Sequence, residues 1–129
     1  MIALALAAML QYGSCHSGGP DRSRTAAEVA GTFFEGLRTR KPDAIRWVTR
    51  RGVVWRSGET VTPDEEVYSQ LEVDEWPVRR LLITGMIGNG ATVAATTVVR
   101  GDPDSETLTV LSIAEGCVTE VRVYPPAAQ

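Results

Sequence analysis

The sequence VRRLLITGMIGNGATVAATTVVRGDPDSETLTVLSIAEGCVTEVRVY, residues 78–124, decides the fold of this protein. It contains strand-like runs at 78–87, 91–100, 107–114 and 117–124. The glycine-containing links between them have turn-forming composition. Short links of this kind join antiparallel neighbours, because a parallel return needs a crossover of about a dozen residues or more. The stretch therefore predicts an antiparallel meander of four strands.

Side-chain alternation within these runs predicts one apolar face and one polar face of the sheet. The predicted inward positions of the second and fourth runs are Val93, Ala95, Thr97, Val99, Val121 and Val123. Glu120, Arg122 and Tyr124 alternate with the last two and are predicted to face outward. A sheet with one apolar face has to be covered on that face. The covering elements must come from the residues upstream of the meander.

Two upstream segments carry clear helix signals. Thr25 and Glu28 form a capping box in front of an apolar run with helical spacing. This pattern predicts an amphipathic helix of about four turns, at ~3.6 residues per turn. Pro42 suits the first position of a second, short helix that carries Ile45 and Trp47.

A brief strand is predicted at 52–56, and a third helix follows it. Thr62 and Glu65 form a second capping box, so this helix is predicted to run from Pro63 to about Glu72. The element order is helix, helix, short strand, helix and four strands. It predicts an α+β domain with its helices on one concave face of the sheet.

Length and composition restrict the function classes. The chain has 129 residues and a net charge of −3, which suits a single domain. Weak acidity and scattered arginines argue against a nucleic-acid partner. The cysteines at 15 and 117 lack metal-site spacing, and His16 alone cannot build a histidine-based metal site, so no metal or cofactor is expected. No apolar stretch has the length of a membrane-spanning helix.

The first 24 residues are interpreted as an apolar leader and a flexible linker, and residues 25–126 as the folded domain. The run IALALAAML, followed by small residues and Cys15, resembles the export signal of a bacterial lipoprotein. The resemblance implies that lipidation of Cys15 would be the only attachment to a membrane. The alternative is an N-terminal helix or unstructured leader on a cytoplasmic protein. In an exported protein without lipidation, Cys15 and Cys117 could form a disulfide; otherwise Cys117 is expected to be a free thiol in a strand.

Residues 25–124 resemble the nuclear transport factor 2-like superfamily, in particular its SnoaL-like branch. The matching segments are AAEVAGTFFEGL at 26–37, PDAIRWV at 42–48, VVW at 53–55 with Gly58, GATV at 90–93 and EGCVTEVRVY at 115–124. The resemblance implies a cone-shaped α+β barrel, with three helices packed on a curved, mainly antiparallel sheet. It also implies an apolar pocket that opens at the wide end of the cone.

The superfamily includes ketosteroid isomerases, limonene-epoxide hydrolases and polyketide cyclases, but their catalytic residues find no match in this chain. An isomerase base is expected just after the strand at 53–55, where this chain has Arg56 and Ser57. Arginine cannot act as a base at neutral pH. In the last strand, Val123 stands where the epoxide hydrolases have an aspartate. The remaining catalytic candidates are Tyr68, Glu120 and Tyr124, and Glu120 is better interpreted as a surface partner of Arg122.

The leading hypothesis is a domain that binds a small hydrophobic molecule in the apolar cone. The predicted lining residues are Phe34, Leu37, Trp47, Trp55, Tyr68, Trp76 and Thr97. Large aromatic side chains supply apolar contact area with a polar handle, although ordinary core packing explains them as well. One alternative is an isomerase, cyclase or epoxide hydrolase with an unfamiliar catalytic set. Another is an assembly module that forms a homodimer through the outer sheet face and has a vestigial pocket. A homodimer is expected in any case.

Overall fold

A computed structural model describes residues 15–16, 23–72, 81–88, 91–99 and 105–124. The helices are α1 (Ala26–Thr39), α2 (Pro42–Val48) and α3 (Asp64–Glu72). The strands are β1 (Val54–Ser57), β2 (Thr60–Pro63), β3 (Leu81–Gly88), β4 (Thr92–Val99), β5 (Ser105–Ala114) and β6 (Cys117–Tyr124). This order confirms the predicted α+β class. None of the helices described is long and apolar enough to cross a membrane.

The predicted meander is present as four strands, β3 to β6, of a six-stranded sheet with the order β2-β1-β6-β5-β4-β3. All neighbours are antiparallel except β1 and β6, which pair in parallel. The register shifts between Ile83 and Gly85 in β3 and between Ser112 and Ile113 in β5. Irregularities of this kind bend strands and increase their twist. The sheet is therefore curved, with its concave face towards the helices, as predicted.

Helix α1 forms as its capping box predicts. The Thr25 hydroxyl accepts a hydrogen bond from the Glu28 amide at 3.1 Å, which satisfies one of the free amides at the helix start. The helix ends at Arg40, whose backbone is left-handed with φ 58°. One face of the helix is buried, with Val29, Ala30, Phe33, Phe34, Gly36 and Leu37. This face packs onto the concave side of the sheet.

The prediction for residues 60–65 was wrong in two respects. Residues 60–63 form β2, which pairs with β1 around a turn at Gly58, where φ is 61°. Helix α3 then begins at Asp64 and not at Pro63. The Asp64 carboxylate accepts hydrogen bonds from the amides of Glu65 at 2.9 Å and Gly52 at 3.2 Å. Asp64 therefore stabilises the helix start, a role that the capping-box pattern assigned to Thr62.

The N-terminal segment is tied to the fold at Cys15. Cys15 forms a disulfide with Cys117, so the expectation of a free Cys117 thiol was wrong. The Cys15 amide donates to the Trp47 carbonyl at 3.0 Å, and the Arg24 guanidinium donates to the same carbonyl at 2.9 Å. These contacts attach the segment to α2. The disulfide occupies the sulfur that lipidation would use, so the two modifications exclude each other.

Candidate functional site

The interior of the cone contains most of the predicted ligand-lining residues. Phe34, Leu37, Trp55, Tyr68 and Thr97 are all buried, and the first four belong to one apolar cluster. Trp47 is half-buried at the edge of this cluster. Trp76 lies outside the described residues. The structure thus brings the described members of the set together on the concave side of the sheet, except that Trp47 lies at the edge.

Aromatic rings fill the centre of this interior. The Phe33 ring stacks on Trp55, with 5.3 Å between centroids, and meets Phe34 edge-on at 5.3 Å. Both phenylalanines have no solvent-accessible surface, so no water-sized space adjoins either side chain. Ala95 and Leu111 on the facing strands are equally inaccessible. The described centre of the cone is therefore close-packed, as an ordinary protein core is.

Three threonines of the described strands, Thr97, Thr107 and Thr109, lie on the concave face, and two of them form a hydroxyl pair. The Thr97 and Thr107 hydroxyls lie 2.6 Å apart across β4 and β5. Thr97 is buried, whereas Thr107 is partly exposed. Such a pair can donate to and accept from a polar group, but neither hydroxyl titrates at physiological pH. The pair can therefore orient a ligand and is not suited to proton transfer.

Tyr68 lies in α3, and its ring packs against α2. The Arg46 guanidinium lies over its ring at 4.5 Å from the centroid, which is a cation-π contact. Burial raises the pKa of the Tyr68 hydroxyl far above its ordinary value, and the charge of Asp64 raises the pKa further, while Arg46 opposes the shift. The Thr49 hydroxyl lies beside it and also lowers the pKa slightly, although the two hydroxyls do not meet hydrogen-bond geometry. Tyr68 is therefore protonated at neutral pH and cannot serve as a base.

The other two catalytic candidates lie on the opposite side of the sheet. Glu120 forms an ion pair with Arg122, and the pairing raises the pKa of the Arg122 guanidinium. Tyr124 is 47% exposed and follows on the same face. The structure therefore separates Glu120 and Tyr124 from Tyr68 by the thickness of the sheet.

A group of possible metal ligands lies beside the disulfide. His16, Asp64 and Glu65 each offer an atom within 4.8 Å of the others. However, the Asp64 oxygens already accept two backbone amides, and the Arg46 guanidinium lies 3.6 Å from Glu65. The Arg46 guanidinium thus already supplies the positive charge beside these carboxylates, and we interpret the group as an ion-pair cluster. The sequence pattern does not predict this cluster, because His16 lies in the stretch interpreted as linker and is distant in sequence from Asp64 and Glu65.

The convex face of the sheet carries exposed apolar side chains, of which the sequence pattern predicted only Tyr124. The large apolar residues with more than a third of their surface exposed, within the described ranges, are Val61 (49%), Ile87 (80%), Leu108 (39%) and Tyr124 (47%). Pair register places all of them on this face: Val61 pairs with Arg56, which pairs with Arg122, and Leu108 pairs with Tyr124. Ile87 pairs with Ala94, whose partner Val110 pairs with Arg122. The outward position of Leu108 could have been predicted from alternation in β5, because its neighbours Thr107 and Thr109 face inward.

Comparisons with known proteins agree on the architecture. No protein-family model matches the chain, and no curated protein matches it significantly in sequence. Among solved structures, a putative ketosteroid isomerase from Kribbella flavida is similar, with a TM-score of 0.69 at 18% identity over 78% of this chain and 77% of that one. An NTF2-like protein of unknown function from Cytophaga hutchinsonii gives 0.67 at 13% identity, with 80% and 91% covered. An LEH-like epoxide hydrolase from M. tuberculosis gives 0.60 at 15% identity, with 76% and 80% covered.

These similarities concern the backbone, because identities this low leave the side chains of a site unspecified. The relatives include proteins named for different activities and a protein of unknown function. The resemblance of residues 25–124 implied a cone of three helices on a curved sheet. This cone is the feature that the chain shares with these solved structures. The chain therefore has the nuclear transport factor 2-like fold.

Proposed function

We propose that the protein is an assembly domain in which two copies associate through the convex face of the sheet. The observation that carries this proposal is the common location of Val61, Ile87, Leu108 and Tyr124. Isolated exposed apolar residues are ordinary, but several on one face favour an interaction site. A face used by two identical copies is the commonest arrangement in homo-oligomers.

The register of the strands makes this face broad. One row of neighbours crosses the whole sheet, in the order Val61, Arg56, Arg122, Val110, Ala94 and Ile87. A second row contains Tyr124, Leu108 and Thr96. Leu108 and Tyr124 lie near the middle of the face, where the apolar centre of an interface is expected.

The packing of the described interior also supports an assembly role. The Phe33, Phe34, Ala95 and Leu111 side chains have no accessible surface, and the Phe33 ring stacks on Trp55. Small-molecule sites are usually largely preformed concave cavities. The described cone has the packing of a core, which fits a domain whose working surface lies outside.

Binding of a small hydrophobic molecule is the second candidate, and the Thr97–Thr107 hydroxyl pair favours it. The pair lies on the concave face and extends to a partly exposed position, where it could orient a carbonyl or hydroxyl of an otherwise apolar ligand. A tryptophan-fluorescence titration with apolar ketones, lactones, steroids and epoxides tests this candidate. Saturable quenching that Thr97→Val weakens would favour it, and product analysis of the same mixtures would detect an enzyme.

Sedimentation velocity over a dilution series tests the assembly proposal. We expect the wild type to be dimeric and Leu108→Glu to be monomeric, because a carboxylate in the centre of the interface would be desolvated without a partner. Ala27→Glu, on the exposed side of α1, is the matched control and should remain dimeric. A wild type that is monomeric throughout the series, or a Leu108→Glu variant that dimerises as well as the control, would contradict the proposal.

A further inference from the structure

The convex face carries two positive charges side by side. Arg56 in β1 and Arg122 in β6 are register partners and both are exposed. Like charges directly opposite each other destabilise a sheet unless something offsets them. Arg122 has Glu120 beside it, whereas Arg56 makes no ion pair within the part of the chain that the structure describes. Among the described residues, therefore, no carboxylate offsets the positive charge of Arg56.

A negative charge lies on the same face near the start of the inner strand β5. Glu106 is exposed and lies in β5, two residues before Leu108, so alternation puts both side chains on the convex side. Leu108 pairs with Tyr124, and Arg122 precedes Tyr124 by two residues. The Leu108–Tyr124 pair therefore lies midway between Glu106 and Arg122 along the strand direction.

This placement is self-complementary under two-fold symmetry. A two-fold axis that lies in the plane of the interface and passes over Leu108 and Tyr124 exchanges the two sides of that pair. It places Glu106 of each copy opposite Val110 of the other copy, with Arg122 one strand away and Arg56 two strands away, so the long arginine side chains can reach the carboxylate, twice per dimer. The strands of the two sheets then run roughly aligned, as packed sheets commonly do.

Resting on the proposed dimer, we propose that Glu106 of one copy pairs with Arg56 and Arg122 of the second copy, and that these contacts set the register of the interface. Arginine presents a planar fork of donors that matches a carboxylate. Complementary charges of this kind fix orientation and exclude wrong pairings more than they add affinity. The apolar Leu108–Tyr124 pair supplies the dehydrated centre between them.

A charge-swap experiment by sedimentation velocity tests this inference. Glu106→Arg and the double variant Arg56→Glu/Arg122→Glu should each weaken the dimer about tenfold or more, because each homodimer then juxtaposes like charges at both contacts. An equimolar mixture of the two variants should regain dimerisation, since both contacts in the heterodimer join opposite charges. Glu66 is exposed on α3, and Glu66→Arg changes the net charge by the same amount as Glu106→Arg. This control should have no effect on dimerisation.

The outcomes separate the two proposals. If the wild type is dimeric but the charge variants dissociate no more than Glu66→Arg does, the charge pairing is wrong and the dimer proposal stands. The same conclusion follows if the equimolar mixture of charge variants does not regain dimerisation. A wild type that is monomeric at every concentration overturns both. Circular dichroism of each variant shows whether a loss of dimer follows from a loss of fold.

Discussion

Gly36 in α1 and Ile45 in α2 approach so closely that no side chain fits between them. A Cβ atom on Gly36 would lie 2.8 Å from Ile45 Cγ1 and 3.3 Å from the Ile45 amide nitrogen. Ile45 is fully buried, so it has little room to move. The glycine therefore sets the distance between the two helices that cover the sheet.

The Gly36→Ala substitution should destabilise the protein by about 1–3 kcal/mol through overpacking. Gly31 in the same helix is the matched control, because a Cβ atom there meets nothing within 4 Å. Gly31→Ala should stabilise by about 0.5–1 kcal/mol, the difference in helix preference alone. The urea midpoints of both variants measure whether the two changes in unfolding free energy have opposite signs. Two shifts in the same direction would contradict the assigned contact.

The sheet could be predicted from the sequence and its first hairpin could not, for identifiable reasons. The alternation that places Val93, Ala95 and Thr97 inward continues over eight residues of β4, which is enough for a clear period. Strand β2 has four residues and is mostly exposed, so it carries no such period. Proline at its end imitated the start of a helix.

The candidate site was less predictable because its members are distant in sequence. Cys15 and Cys117 are 102 residues apart, and only the fold brings them together. Tyr68 is buried, but nothing in its neighbourhood along the chain identifies Arg46 as the group over its ring. The convex face is likewise assembled from separate strands, and single-strand alternation identified Tyr124 and not Ile87.

The disulfide should contribute substantially to stability. It closes a loop across most of the domain, and loss of a native disulfide from a small domain costs roughly 2–5 kcal/mol. The Cys15→Ala/Cys117→Ala variant should therefore lower the thermal midpoint. Dithiothreitol should lower the midpoint of the wild type and leave that of the variant unchanged. An equal effect of the reductant on both proteins would show that the disulfide does not act in this way.

Phe33 should be the most sensitive position of the interior. Its ring touches both Phe34 and Trp55 and has no accessible surface. Phe33→Ala should cost about 3–5 kcal/mol, measured as a shift of the denaturant midpoint. Phe33→Leu keeps more of the volume and should cost clearly less. If Phe33→Ala instead left stability unchanged, the interior would contain free space and the case for a ligand pocket would strengthen.

Tyr68→Phe should leave stability at neutral pH unchanged or slightly higher, because the Tyr68 hydroxyl is buried without a hydrogen bond of good geometry. At about pH 10 and above, the variant and the wild type should differ. The pKa of Tyr68 is raised in the folded state, mainly by burial, so the folded protein resists an ionisation that the unfolded chain undergoes near its ordinary value of about 10. The contribution of Tyr68 is intact below about pH 10 and is lost as the pH rises further.

Urea unfolding at a series of pH values from 7 to about 11 measures this difference. The wild type should lose stability more steeply than Tyr68→Phe at the alkaline end, since phenylalanine has no proton to release. Gly31→Ala is the control, because it removes no titratable group and its Cβ atom meets nothing within 4 Å, so its alkaline slope should equal that of the wild type. Equal slopes for the wild type and Tyr68→Phe would mean that the Tyr68 hydroxyl is hydrated, and that α2 and α3 do not exclude water around it.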